Sequence, residues 1–243
     1  MYGIVKKVKN GDILTKEEEQ ELFTLPPEER KEILLNYLSK QYYLKDDTKL
    51  FDLPPNERIE VLLRYMMNCK YDDGYHHSYI LSDAAILKMF DLPKKEKLEI
   101  LSTYISTWRL TKAAECKLLE LPKDELKELL YNYIDRWKLC EDATLKIFDL
   151  PIGVIKKFLL AYIKKWSLSN NAMLKIFDLK LSKSDIKEIC TIYVARWVFR
   201  DIKTGLMVFN LSEEERQDIL YAYITEWQEG NDEIKRKLFK IFS

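Results

Sequence analysis

The chain has 243 residues, 47% hydrophobic and 33% charged, with only six Gly and seven Pro. That balance excludes collagen-like, linker-like and disordered classes, favours helix over a loop-rich β fold, and leaves chain enough for a continuous apolar core. Forty Lys and Arg are matched by forty Asp and Glu, so no net charge draws the chain toward nucleic acid or an anionic membrane.

Residues 1–14 are expected to form an N-terminal cap, the remnant of a helix closed near Asn10-Gly11. Lys6, Lys7, Lys9 and Asp12 fall where a secretory signal needs an uninterrupted apolar run. No stretch is long and apolar enough for a membrane span. The expectation is a cytoplasmic, intracellular protein. Thr15 to Glu18 then has the spacing of a capping box, which starts a helix by satisfying its first backbone donors.

From that point the chain repeats itself. Phe23-Thr24-Leu25-Pro26 returns as Phe51-Asp52-Leu53-Pro54, Phe90-Asp91-Leu92-Pro93, Leu119-Glu120-Leu121-Pro122, Phe148-Asp149-Leu150-Pro151, Phe177-Asp178-Leu179 and Phe209-Asn210-Leu211-Ser212. The steps are 28, 39, 29, 29, 29 and 32, which gives seven copies of a 29-residue unit over 15–230. Each unit predicts two helices. The first is short and carries Ala85, Ala114, Ala143 or Ala172 at one equivalent site, where a small side chain allows close packing. Asp-Leu-Pro breaks it, because the residue before proline avoids the α region. Proline is tolerated in the first turn of the second helix, and Ser182-x-x-Asp185 and Ser212-x-x-Glu215 supply capping-box starts in the last two copies.

The second helix runs about fifteen residues with an apolar stripe such as Ile100, Leu101, Tyr104, Ile105 and Trp108. It ends on Tyr-x-x-x-Trp in five copies: Tyr104/Trp108, Tyr133/Trp137, Tyr162/Trp166, Tyr193/Trp197 and Tyr223/Trp227. Tyr37 and Tyr65 are followed instead by Gln41 and Cys69. Rings four apart share a helix face, so both are expected in the core, with Trp137 and Trp166 each contributing about 3–5 kcal/mol against Ala and Trp227 less. Residues 231–243 predict a C-terminal capping helix.

The fold expected is therefore all-α: an αα-solenoid of about seven helix-pair repeats with half-repeat caps, forming a single domain over 1–243. The unit resembles the general class of αα-solenoids that includes HEAT and tetratricopeptide arrays. It departs from the tetratricopeptide pattern in placing its Trp at the close of the second helix.

Chemistry-bearing motifs are few. Cys69, Cys116, Cys140 and Cys190 match no zinc or redox spacing, and Cys116 and Cys190 fall on apolar sites, as small buried hydrophobes in a reducing compartment do. His76 and His77 are the only histidines, and no phosphate loop or nucleophile motif occurs. The expectation is no enzyme, no cofactor, no metal and no small-molecule substrate.

Binding candidates lie in two places. The extra ten residues between the second and third copies form a loop near 70–80, with Tyr75, His76 and His77 as contacts on the side where solenoid insertions often bind. A metal site built from Asp72, Asp73, His76 and His77 is the other chemical reading of that loop. The second-helix columns off the Tyr/Trp stripe vary from copy to copy, and Leu63, Met67, Tyr131, Asp135, Leu160, Lys164 and Tyr221 are the candidates for a protein partner. Basic helix ends at Lys40, Arg136, Lys165 and Arg196 are the corresponding candidates for nucleic acid. An acidic column at Glu32, Glu60, Glu99, Glu128 and Glu188 precedes them, as the helix dipole favours. Lys49, Lys88, Lys117, Lys146 and Lys175 stand three residues before Asp52, Asp91, Glu120, Asp149 and Asp178, a spacing that predicts weak pairs within each helix. The function expected is a protein-interaction module or scaffold, with nucleic-acid binding or a structural subunit of an assembly as rivals.

Overall fold

A computed structural model describes residues 2–40, 44–68, 81–179 and 181–196. Every element among these residues is helical, with no strand. The chain divides into two compact units, Met1–Trp137 and Lys138–Ser243. The seventh copy and the C-terminal cap lie outside the described residues.

The first unit comprises α1 (Tyr2–Asn10), α2 (Lys16–Phe23), α3 (Pro27–Lys40), a 3-10 segment (Asp47–Asp52), α4 (Pro55–Asn68), α5 (Asp83–Met89), α6 (Lys94–Ile105), α7 (Lys112–Leu118) and α8 (Lys123–Arg136). The second contains α9 (Glu141–Lys146), prolonged by a 3-10 turn at Ile147–Asp149, then α10 (Ile152–Ile163), α11 (Asn170–Asp178) and α12 (Lys183–Arg196).

Local chemistry sets these boundaries. Gly11, at φ 82°, closes α1: its N–H reaches the Val8 carbonyl at 3.0 Å and the Asp12 N–H that of Lys7 at 2.9 Å, the paired bonds of a left-handed helix stop. Thr15 and Glu18 form the expected capping box at the start of α2. Ser82, Thr111, Cys140 and Ser169 cap α5, α7, α9 and α11, each accepting the N–H of the alanine three residues on. Those alanines, Ala85, Ala114, Ala143 and Ala172, are fully buried. The prolines of Leu-Pro sit one place before the second helices, and the carbonyls of Pro26, Pro54, Pro93 and Pro122 accept the first helical N–H bonds at 2.8–2.9 Å.

Packing then follows the repeat. Second helices pack on second helices, α3 on α4, α4 on α6 and α6 on α8 in the first unit, and α10 on α12 in the second. First helices do likewise: α5 touches the 3-10 segment and α7, and α9 touches α11. The core column is the tyrosine. Tyr37, Tyr65, Tyr104, Tyr133 and Tyr162 are at most 2% exposed. The tryptophans are not its equals: Trp108, Trp137 and Trp166 are half-buried. Trp137 instead edges the neighbouring repeat, its indole N–H donating to the Ile105 carbonyl at 2.9 Å.

A second column was hidden among charges. Arg30, Arg58 and Lys97 stand four residues after their proline, and Glu57, Glu96 and Glu125 three residues after the next one. Arg30 grips Glu57 through Nε at 2.8 Å and Nη2 at 2.6 Å. Arg58 holds Glu96 at 2.9 and 2.7 Å, and Lys97 lies 3.0 Å from Glu125. These side chains are 7–12% exposed. Arg30 also donates to the carbonyls of Phe23 and Leu25, and Arg58 to that of Phe51, so the same guanidinium ends its own first helix and latches the next repeat. Asp47 adds a further latch, accepting the Ser82 N–H at 2.5 Å and its hydroxyl at 2.6 Å.

Candidate interaction surface

Two periodic positions stay outside on the second helices. Six residues after the proline stand Glu32, Glu60, Glu99 and Glu128, all exposed. Thirteen residues after it stand Ser39, Met67, Ser106, Asp135 and Lys164, also exposed and chemically unlike one another. Nine residues after it, Leu35, Leu63, Ser102, Tyr131 and Leu160 are each half-buried. These three positions fall on one helical face, and that face differs from repeat to repeat where the buried one does not.

The candidates for a protein partner distribute as follows. Leu63 and Met67 lie one turn apart on α4, and Met67, 53% exposed, is the most exposed large apolar side chain among the described residues of the second helices. Tyr131 and Asp135 share α8, where burial raises the Tyr131 phenol above its ordinary range. Helix α6 packs between α4 and α8, so Leu63 and Tyr131 belong to separate patches bridged by Ser102 and Ser106. Leu160 and Lys164 share α10. Tyr221 and the loop residues Tyr75, His76 and His77 lie outside the described residues.

The basic candidates separate into different roles. Arg136 and Lys165 are exposed near the ends of α8 and α10. Lys40 is engaged: its ammonium donates to the carbonyls of Val8 and Lys9 at 3.3 and 2.8 Å, completing the C-terminus of α1. Arg196 is the last residue of α12. The lysine and aspartate columns before the proline pair across repeats as well as within them. Lys117 reaches Asp91 at 2.8 Å and Lys88 lies 3.7 Å from Asp52, against 3.5 Å for the local pair Lys49–Asp52.

Several buried polar groups pair with one another. The Tyr133 hydroxyl donates to Glu115 Oε1 at 2.6 Å, and Arg109 Nε approaches the same oxygen at 3.4 Å. Burial, with Glu115 beside it, drives the Tyr133 phenol far above its usual value. The Tyr37 hydroxyl donates to Glu19 at 3.0 Å, and Glu19 also accepts the Lys45 N–H at 2.9 Å. Both acids stand four residues after a helix cap, at sites filled elsewhere by Ile86, Thr144 and Met173. That substitution is the only trace these pairs leave in the sequence. Burial pushes the Cys190 thiol up to about 12, and Cys140 has become a helix cap, accepting the Ala143 N–H at 3.4 Å.

Among the described residues no group of three or more His, Cys, Asp and Glu could hold a metal ion. A cavity of about 420 Å³ opens in the second unit, lined by Lys138, Glu141, Thr144, Ser167 and Ser169; Lys138 donates to Ser167 at 3.0 Å across it. None of the described helices is long and apolar enough to cross a membrane. Comparison with protein families, with curated proteins and with solved structures finds no match for this chain.

Proposed function

We propose that this chain is a non-enzymatic, cytoplasmic αα-solenoid of seven helix-pair repeats that binds a protein partner through the outward positions of its second helices. One observation carries the reading. Tyrosine fills one buried site in six copies and alanine another in four, while the equivalent outward site runs Ser39, Met67, Ser106, Asp135, Lys164. A stack with a uniform core and a graded surface gives each unit its own contact. Protein is favoured over nucleic acid because exposed Glu32, Glu60, Glu99 and Glu128 occupy the same face and would repel phosphates. Lys40 is also committed to α1.

A pull-down with and without nuclease identifies the class of partner. The captured partner is then purified and titrated against two variants. Tyr131→Ala with Leu160→Ser should weaken binding by more than about 2 kcal/mol, as loss of an interface anchor does. Arg136, Lys165 and Arg196 changed to Glu should matter little. The reverse order, with affinity falling steeply as salt is added, sinks the protein reading.

A further inference from the structure

A lysine that pairs neighbouring repeats is replaced at two joints. On α3 the fifth residue after the proline is Lys31, and it pairs with Glu60, the sixth residue after the proline of α4. On α10 the same position holds Lys156, 2.9 Å from Glu188, the corresponding acid of α12. On α4 and α6 that position holds Ile59 and Leu98, both half-buried. The acids that would have received a lysine there are retained. Glu99 on α6 and Glu128 on α8 are exposed, and neither makes an ion pair among the described residues, although Lys95 stands only four residues before Glu99.

Helices α4, α6 and α8 pack in succession within the first unit, so the two joints repeat one geometry. At each, an apolar residue takes the lysine position on one helix and the carboxylate remains on the next. The Lys31–Glu60 pair shows that such a joint accommodates a lysine. A lysine brought by a partner fits in the same way, its methylene stem along Ile59 or Leu98 and its ammonium at Glu99 or Glu128. Packed helices lie about 8–10 Å apart, which sets the distance between the two places. Polyproline II has three residues per turn and rises about 3.1 Å per residue, so side chains three apart share a face at about 9.3 Å. Side chains four apart on an α-helix stand only about 6 Å apart along its axis, and those three apart on a β-strand face opposite ways.

We infer that the partner segment bound here is basic and extended, a polyproline II stretch with lysine or arginine three residues apart, whose cations take the places left by Ile59 and Leu98. The inference rests on the protein-partner reading above and names the chemistry of that partner. Extended proline-rich segments suit such a surface because little order is lost on binding. Exposed ion pairs are weak, so the segment alone binds with a dissociation constant of about 0.1–1 mM.

Methyl NMR of the full chain tests the inference. The probe is a synthetic octapeptide with two lysines three apart among prolines. The Ile59 and Leu98 methyl signals, assigned by substitution, should shift together and approach saturation by about 5 mM peptide, with affinity falling as salt is added. The same peptide with its lysines two apart should bind about threefold more weakly, because only one charge contact can form at a time. Glu99→Gln and Glu128→Gln should each weaken the first peptide by a similar factor. Ile59→Lys with Leu98→Lys supplies both cations from within the chain and should abolish the shifts, read at the Leu63 methyls, while the remaining spectrum verifies the fold. Signals that do not move, equal affinity for the two peptides, or indifference to both glutamate variants overturns the inference. A captured partner that depends on Tyr131 and Leu160 but on neither Glu99 nor Glu128 overturns it as well and leaves the partner reading standing, whereas capture of no protein overturns that reading itself.

Discussion

Removing the guanidinium of Arg58 asks how strongly adjacent repeats are coupled. Arg58 makes two bonds to Glu96 and a third, at 2.7 Å, to the Phe51 carbonyl, and the two side chains are 11% and 9% exposed. Arg58→Met keeps the apolar stem and leaves Glu96 charged, buried and without its cation. Breaking a buried pair from one side costs about 3–5 kcal/mol, most of it the stranded charge. Changing Glu96→Leu as well removes that charge, and the double variant should return to within about 1 kcal/mol of the parent. The chain supplies its own precedent: one step past Lys97–Glu125, the two corresponding positions hold Leu126 and Val154. Lys31→Met, which loses the exposed pair with Glu60 (41% and 52% exposed), should cost under about 1 kcal/mol. Urea unfolding followed by far-UV circular dichroism ranks the three. Repeat arrays need not unfold in one step, so hydrogen exchange should also show protection falling first in α4 and α6. The reasoning fails if Arg58→Met costs no more than Lys31→Met, or if the double variant is as unstable as the single one.

Two further outcomes follow from the buried and capping groups. Tyr133→Phe deletes the donor to Glu115 while keeping the ring, and should destabilise the first unit by about 1–3 kcal/mol, the cost of an under-satisfied buried acceptor, measured by the same unfolding series. Lys156 and the Ser182 hydroxyl hold the Asp185 carboxyl below the ordinary aspartate range. A depressed folded value means that this group's stabilisation is complete above the unfolded value, about 3.9, and is lost as pH falls through the folded one. Acid titration monitored by protection in α10 and α12 should show that loss in the parent, and Asp185→Asn should flatten it.

Much of the architecture could be read from spacing alone. The Leu-Pro punctuation, the alanine column and the tyrosine column are local signals, each set by one helix and its cap, and the structure places them where the periodicity requires. The ion-pair column escaped because its partners are distant in sequence, Arg30 from Glu57 and Arg58 from Glu96, and first-turn charges look like a solvated face until a neighbour is stacked against them. The tryptophans misled for the opposite reason. A large ring at a repeated site suggests deep burial, yet Trp137 follows the last turn of α8, where its ring can only reach the edge of the preceding repeat. Lys40 looked like an open basic end because the carbonyls that it satisfies belong to α1, some thirty residues earlier. Of the surface candidates, Met67, Asp135 and Lys164 are exposed while Leu63, Tyr131 and Leu160 are half-buried, a difference that copy-to-copy variation alone does not reveal.

The junction between the second and third repeats carries ten more residues than the unit requires, yet it is bridged from both sides. Arg58 still meets Glu96, Asp47 still binds Ser82, and Lys88 still reaches the Thr48 carbonyl at 3.3 Å. The register between neighbours is thus written in side-chain latches, and the length of the connecting chain is not part of the specification. Lengthening a connection adds only about 0.6 kcal/mol of closure entropy per doubling. Evolution could therefore splice new sequence at this joint, repeatedly and at little thermodynamic risk, without re-solving the packing on either side.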